Sequence, residues 1–423
     1  MKKYFLLLAL AACLNVFAQK TETGFDVKEV ERIETFLASD EMKGRRVGTP
    51  EIEKAAAFIA DEFKKAGLQG WKDNSFMQDF ALVRPKLKEL KLKVEDADVD
   101  MKNIVVITPV GELKIDETSG YEWVSIKSGE NLMEKAYELI SGKKNTLVLV
   151  DPSFTANFNR LTRFKRQIAK SSPTVAFILG SAIPKSFKIK ADHEFEEVKY
   201  SNVVGVLPGK SKKNEYVIFS GHYDHIGVGR PVNGDSINNG ANDDAAGITA
   251  VIMLANHFKK ANNNERTIIF AAFTAEEIGM VGSKYFSEQY KPEQVVAMFN
   301  IEMIGTESKW GKNSAYITGF DKSNMGEILQ KNLQGTGFTF HPDPYTEMQL
   351  FLRSDNATLA SQGVPAHTIS TAKMEQEVHY HKPSDEVSTL DMANMVEIIR
   401  SIALSSRSIV EGKDTPRRVK PEM

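Results

Sequence analysis

Cysteine is almost missing from this chain: Cys13 is the single one in 423 residues. That excludes an internal disulfide and any metal site built on thiolates, so ligands for a transition metal have to come from His, Asp or Glu. Histidine is scarce as well, with eight in the chain, and the formal charge of −2 comes without any long run of Lys or Arg. No electrostatic footprint for nucleic acid exists here. Internal repeats, low-complexity tracts and long disordered linkers are also absent. What remains, 42% hydrophobic and 26% charged residues, is the composition of an ordinary globular chain able to bury one large core or two smaller ones.

The opening stretch "MKKYFLLLALAACLNVFAQK" has two lysines, a short apolar run and Val16-Phe17-Ala18 before Gln19. This is the charge, core and small-residue pattern of a secretory signal, too short and wrongly flanked for a spanning helix. The expectation is export to the periplasm or the exterior, with residues 1–18 removed and 52 basic against 56 acidic residues left, a balance of −4. Leu10-Ala11-Ala12-Cys13 resembles a bacterial lipoprotein box, so a lipid anchor at Cys13 is the alternative.

Residues 19–85 contain two amphipathic helices around the break "KGRRVGTP"; the second starts at Thr49-Pro50 and stops at Gly67, with Ala56, Ile59 and Phe63 at helical spacing. Residues 86–195 change character. The alternating "KLKELKLKV" and the short apolar runs "NIVVITPV" and "NTLVLVDPSF" read as strands, and "NFNRLTRFKRQIAK" as a helix. This stretch is taken as an inserted smaller module without a carboxylate–histidine cluster. Over 196–411, strands such as "EYVIFS", "RTIIFAAF", "VVAMFNI" and "AHTIST" alternate with helices. That pattern predicts an α/β fold with a mostly parallel central sheet flanked by helices, followed by a mobile tail at 412–423.

In such sheets ligands gather at the carboxyl ends of the strands. There this sequence places His222 and Asp224 after "EYVIFS", Asp243 and Asp244 before a helix, Glu276 and Glu277 after "RTIIFAAF", Glu302 after "VVAMFNI", and His379 and His381 after "AHTIST". Each pair alone has a plain reading: a polar turn, a helix cap, a solvated helix start. An acid inside "FNIEMIG" is costly unless it is paired or bound to metal. Two zinc ions suit the whole set, because zinc accepts imidazole nitrogen and carboxylate oxygen and catalytic sites leave a position for water. Three carboxylates, two histidines and one bridging hydroxide would balance two divalent cations.

The motifs "HYDHIG", "GDSINNGANDDAAG", "EEIGMVGS", "FNIEMIG" and "HYHKPSDE", with "MKGRRVGTPE" before them, resemble in order those of the di-zinc aminopeptidase family that includes aminopeptidase Y and secreted bacterial leucyl aminopeptidases. The resemblance covers about 30–85 and 200–410. It implies that His222 and Glu302 hold one zinc, Glu277 and His381 the other, and that Asp243 bridges them. Glu276 would be the general base, and Asp224 would fix the His222 ring. His225 is read as a neighbour, not a ligand. Glu302 stands where many relatives have aspartate, and Asn356 and Leu359 in "SDNATLA" replace a histidine and a phenylalanine. The implied substrates are peptides with a free amino terminus. Glutaminyl cyclisation, carboxypeptidase action, and a binding module that has lost catalysis are the competing readings.

Overall fold

The computed structural model describes residues 25–165 and 168–420; the expected signal segment and Cys13 lie outside them. The first helix, Val27–Leu37, is capped by Asp26, whose carboxylate accepts from Lys28 N, and buries Val30, Ile33 and Leu37. The second runs Pro50–Lys65 with proline in its first turn, where a missing N–H costs nothing, and buries Ile59 and Phe63. Together with the helices Ala246–Ala261 and Met392–Val410 they cover one face of the central sheet.

The strands are arranged in the order Thr339–Pro342, Ser314–Ile317, Ala366–Ser370, Val295–Ile301, Lys212–His222, Arg266–Phe273, Phe187–Leu207 and Met77–Val94. The middle of this sheet is parallel: strand 212–222 pairs with 266–273 on one side and 295–301 on the other, and 295–301 with 366–370. Its flanks turn antiparallel at 187–207 and at 314–317. Strands 266–273 and 295–301 are buried along their full length, as a sheet covered on both faces requires. The ring of Phe219 packs 4.9 Å from that of Phe299 and 5.3 Å from that of Phe258, joining three elements. Truncating such a residue to alanine costs about 3–5 kcal/mol.

The inserted stretch is built differently from its sequence reading. Strands 77–94 and 187–207 form one long antiparallel ribbon, from Met77 opposite Val203 to Val94 opposite Phe187, so residues 86 and 195 fall inside strands and not at junctions. The ribbon leads to a four-stranded sheet of Ile104–Ile107, Val175–Leu179, Thr146–Val150 and Glu122–Ile126, whose apolar cores take in Val83, Leu90, Leu92 and Ile189 of the ribbon. The helix expected over 157–170 is a 3-10 run, Phe158–Lys165. Beyond it Ile168 exchanges backbone hydrogen bonds with Val83 at 2.8 and 2.9 Å, which draws the chain into an extended form.

In place of the free tail expected after residue 411, the chain to 420 lies against the sheet. Arg266 donates to Asp414 O and Thr415 Oγ1, both at 2.7 Å, Val419 N donates to Gly363 O at 3.1 Å, and Val419 is buried. Among the described residues no helix is long and apolar enough to cross a membrane.

Candidate metal centre

Four parallel strands end beside one another and deliver the polar groups. His222 is the last residue of its strand. Glu276 and Glu277 follow strand 266–273, and Glu302 follows strand 295–301. Asp243 comes from the loop before helix 246–261 and His381 from the loop after strand 366–370. Ala275, Met303 and His381 all carry positive φ, 60°, 53° and 56°. Non-glycine residues held in the left-handed region are uncommon, and these three belong to or adjoin the site groups Glu276, Glu302 and His381.

Asp243 is the hub. Its Oδ1 lies 3.2 Å from His222 Nε2, and its Oδ2 lies 3.3 Å from His381 Nε2 and 3.8 Å from His225 Nδ1. Glu277 Oε2 is 3.1 Å from His381 Nε2, and Glu277 Oε1 is 2.8 Å from His225 Nδ1. Two donor groups result, each close enough to surround one ion: His222, Asp243 and Glu302, and His225, Asp243, Glu277 and His381. The close approaches are not aligned as hydrogen bonds. Among the described residues, His222 Nε2, His225 Nδ1, Glu277 Oε1, Glu302 Oε2 and His381 Nε2 are buried atoms without a hydrogen-bond partner. Orphaned donors of these types, converging from separate elements, suit a divalent cation; left alone they would carry an uncompensated desolvation penalty.

The electrostatics point the same way. Burial opposes the charge on Asp243, yet His222 and His381 hold its carboxyl well below the usual range. Burial also opposes protonation of His381, but Asp243 and Glu277 push it up to about 10. Glu276 is pushed well above the carboxylate range by burial, to which Glu302 and Asp355 add. Among the described residues Asp243 and Glu277 thus pair with histidines and not with lysine or arginine. Glu276 belongs to neither donor group, although its charge acts on His222.

The neighbouring acids have distinct jobs. The Asp224 carboxylate accepts from Glu276 N at 3.0 Å and Glu277 N at 3.3 Å, which shapes the turn bearing both glutamates. Its carboxylate is 3.8 Å from His222 Nδ1, whereas its backbone oxygen is 3.0 Å away. The His222 ring is therefore oriented by the main chain of Asp224, a detail that the residue type alone does not reveal. Asp244 accepts from the backbone N–H groups of His222, Gly247 and Met303 at 3.1, 3.0 and 3.2 Å, and so ties strand ends to the helix start. His379 turns away to Ser384 Oγ at 3.0 Å.

Three contributors had no role in the sequence reading. Asp385 accepts from Asn242 N at 2.8 Å and Asp243 N at 3.1 Å, locking the His381 loop to the Asp243 loop. Arg45 donates to the carbonyl oxygens of Tyr223, Asn239 and Gly240, joining the His222 loop to the Asp243 loop, and His225 enters the second donor group. Asp385 and Arg45 lie in quoted motifs, but their partners are backbone atoms far along the chain. A cavity of about 620 Å³ lined by Glu53, Asp79, Phe80, Tyr200 and Tyr223 shares none of the metal-facing side chains.

Residues 202–405 match peptidase family M28. A protein named "Probable leucine aminopeptidase" from Trichophyton verrucosum is 27% identical over 216 residues, 49% of this chain and 56% of that one. The chain spans about half the length of the curated relatives it matches. Among solved structures, an aminopeptidase from Aneurinibacillus sp. strain AM-1 superposes with a TM-score of 0.55 at 18% identity, covering 95% of this chain and 97% of that one. A zinc aminopeptidase from Bacillus subtilis gives 0.55 at 17%, covering 92% and 95%. At such identities the superpositions speak for the fold alone. The match to peptidase family M28 spans residues 202–405, which hold every metal-facing side chain described above.

Proposed function

We propose that the chain is an exported zinc-dependent aminopeptidase acting on peptides with a free amino terminus. The observation that carries this reading is the pair of donor groups sharing Asp243, with the Glu276 carboxylate beside them and outside both. His222 and Glu302 would hold one zinc, Glu277 and His381 the other, and Asp243 would bridge. Zinc held there supplies a water that ionises near pH 7 and a Lewis acid for the scissile carbonyl. Glu276 accepts the proton of the attacking water and returns it to the leaving amine. Asp224 holds the Glu276–Glu277 turn and, through its carbonyl, the His222 ring. The surplus of carboxylates favours a cationic amine at the reacting end of the substrate over a carboxylate, which sets aside carboxypeptidase action.

The test is zinc stoichiometry on the purified protein, coupled to turnover of amino-acid amides and of a glutaminyl peptide. Two zinc ions with amide hydrolysis that chelation stops is the expected result. One zinc with cyclisation, or zinc without turnover, would replace the reading with the cyclase or the binding module.

A further inference from the structure

We infer that His225 is a direct fourth protein ligand of the second ion, so that the two metal positions are unequal: one closed by His225, Asp243, Glu277 and His381, one left open by His222, Asp243 and Glu302. The inference rests on the dinuclear reading above and adds a residue that reading does not use.

The geometry carries it. Ligands about 2.0–2.1 Å from a tetrahedral zinc stand about 3.3 Å from one another. Around the second group the separations are 2.8 Å from His225 Nδ1 to Glu277 Oε1, 3.1 Å from His381 Nε2 to Glu277 Oε2, 3.3 Å from His381 Nε2 to Asp243 Oδ2, and 3.8 Å from His225 Nδ1 to Asp243 Oδ2. Glu277 faces His225 with one oxygen and His381 with the other, and one donor atom from each of the four residues lies within 4.8 Å of the rest, close enough for one ion to take all four. His225 is 1% exposed, and among the described residues neither of its ring nitrogens has a hydrogen-bond partner. Had the ring served to orient Glu277, Nδ1–H would point along a hydrogen bond to Oε1; the two atoms are close but not aligned as one.

The ring is also placed for the task by its surroundings. Gly240, at φ +59°, lies so near that a Cβ there would come 2.6 Å from the imidazole, and the His381 ring meets it edge-on at 5.6 Å between centroids. Any other residue at 240 would push the imidazole off its line.

A closed site of four protein donors and an open one of three divide structural from catalytic duty in the way zinc sites generally do. Substrate and water would then be handled at the His222 end, where Glu276 stands.

X-ray absorption at the zinc edge of the fully loaded wild-type chain counts imidazoles directly. Three imidazoles shared by two zinc ions are expected, against two shared by two if His225 is no ligand. The companion measurement is equilibrium dialysis of zinc against His225→Gln, with His225→Asn as a second variant and circular dichroism to select a folded one. Loss of a ligand should weaken the second ion by more than the ten- to hundred-fold that losing an outer-shell partner costs. Two zinc ions with two imidazoles in the wild type, or a loss within that lesser range, would overturn the fourth-ligand assignment and leave the dinuclear reading standing. Fewer than two zinc ions in the wild type would overturn both.

Discussion

The Nε of Arg45 donates to the carbonyl oxygen of Tyr223 at 2.9 Å, tying the segment before the second helix to the residue between His222 and Asp224. Its other donors reach Leu37 O, Asn239 O and Gly240 O at 2.5, 2.7 and 2.9 Å. A guanidinium with no exposed surface thus holds the loop of His222 and the loop of Asp243 at a set separation. Neutralising it leaves buried carbonyls without donors, so Arg45→Met is expected to destabilise the metal-free protein by about 3–5 kcal/mol. Arg45→Lys should recover only part of this, because an ammonium lacks the planar fork. Urea unfolding of the three proteins measures it, and an unchanged midpoint for Arg45→Met would remove the residue from the account of the site.

Sequence reasoning reached the alternating strands and helices of 196–411 because buried parallel strands such as "RTIIFAAF" are continuous apolar runs, and because polar residues at their ends stand out. The same rule drew His222, Asp243, Glu277, Glu302 and His381 to one edge, where the structure brings them within a few ångströms. It missed what depends on long-range geometry. Arg45 bonds only to carbonyls up to 195 residues away, and every residue offers a carbonyl. Strands 77–94 and 187–207 hid their length because half of the ribbon is polar and solvent-facing. His225 lay one position past a better-placed His-x-Asp, and the turn that swings it inward is legible only in three dimensions.

Glu276 is an acid beside both donor groups that neither of them uses. Replacing it with glutamine keeps the size and the Glu276 N to Asp224 Oδ1 hydrogen bond while removing the proton acceptor. Zinc content should stay at the wild-type level while kcat falls by roughly 10²- to 10⁴-fold, the worth of general base catalysis. Undiminished turnover in Glu276→Gln would exclude the residue as the base.

Asp243 is the one side chain common to both donor groups, so its loss should empty the site and not merely slow it. For Asp243→Asn the expected result is loss of zinc at both positions. In the wild type, chelation should lower the thermal midpoint, since a ligand at a thousand times its Kd stabilises the folded state by about 4 kcal/mol. The same chelator should leave the melting of Asp243→Asn unmoved. A variant that retained two ions would show that Asp243 does not bridge.

His367 provides a pH test remote in sequence from the proposed ligands. It sits on strand 366–370 with Nδ1–H donating to Thr318 O at 2.8 Å and Nε2 accepting from Ser323 Oγ at 2.7 Å. Burial pushes its imidazole down to about 4, with Lys322 adding to the effect and the Thr318 carbonyl opposing it. The unfolded chain, with an ordinary imidazole near about 6.5, binds the proton more readily. Between pH 6.5 and 4 the unfolded state therefore holds more protons, and stability falls as pH falls through that window; above it the contribution is constant. The loss attributable to this one ring reaches about 3 kcal/mol by pH 4. Other carboxylates titrate in the same range, so the measurement is a comparison: urea midpoints from pH 7.5 to 4.5 for the wild type and for His367→Gln. The variant should start less stable, having lost a fitted ring, and descend less steeply on acidification. Parallel descents would mean that the His367 ring takes up a proton in the folded protein as easily as in the unfolded one.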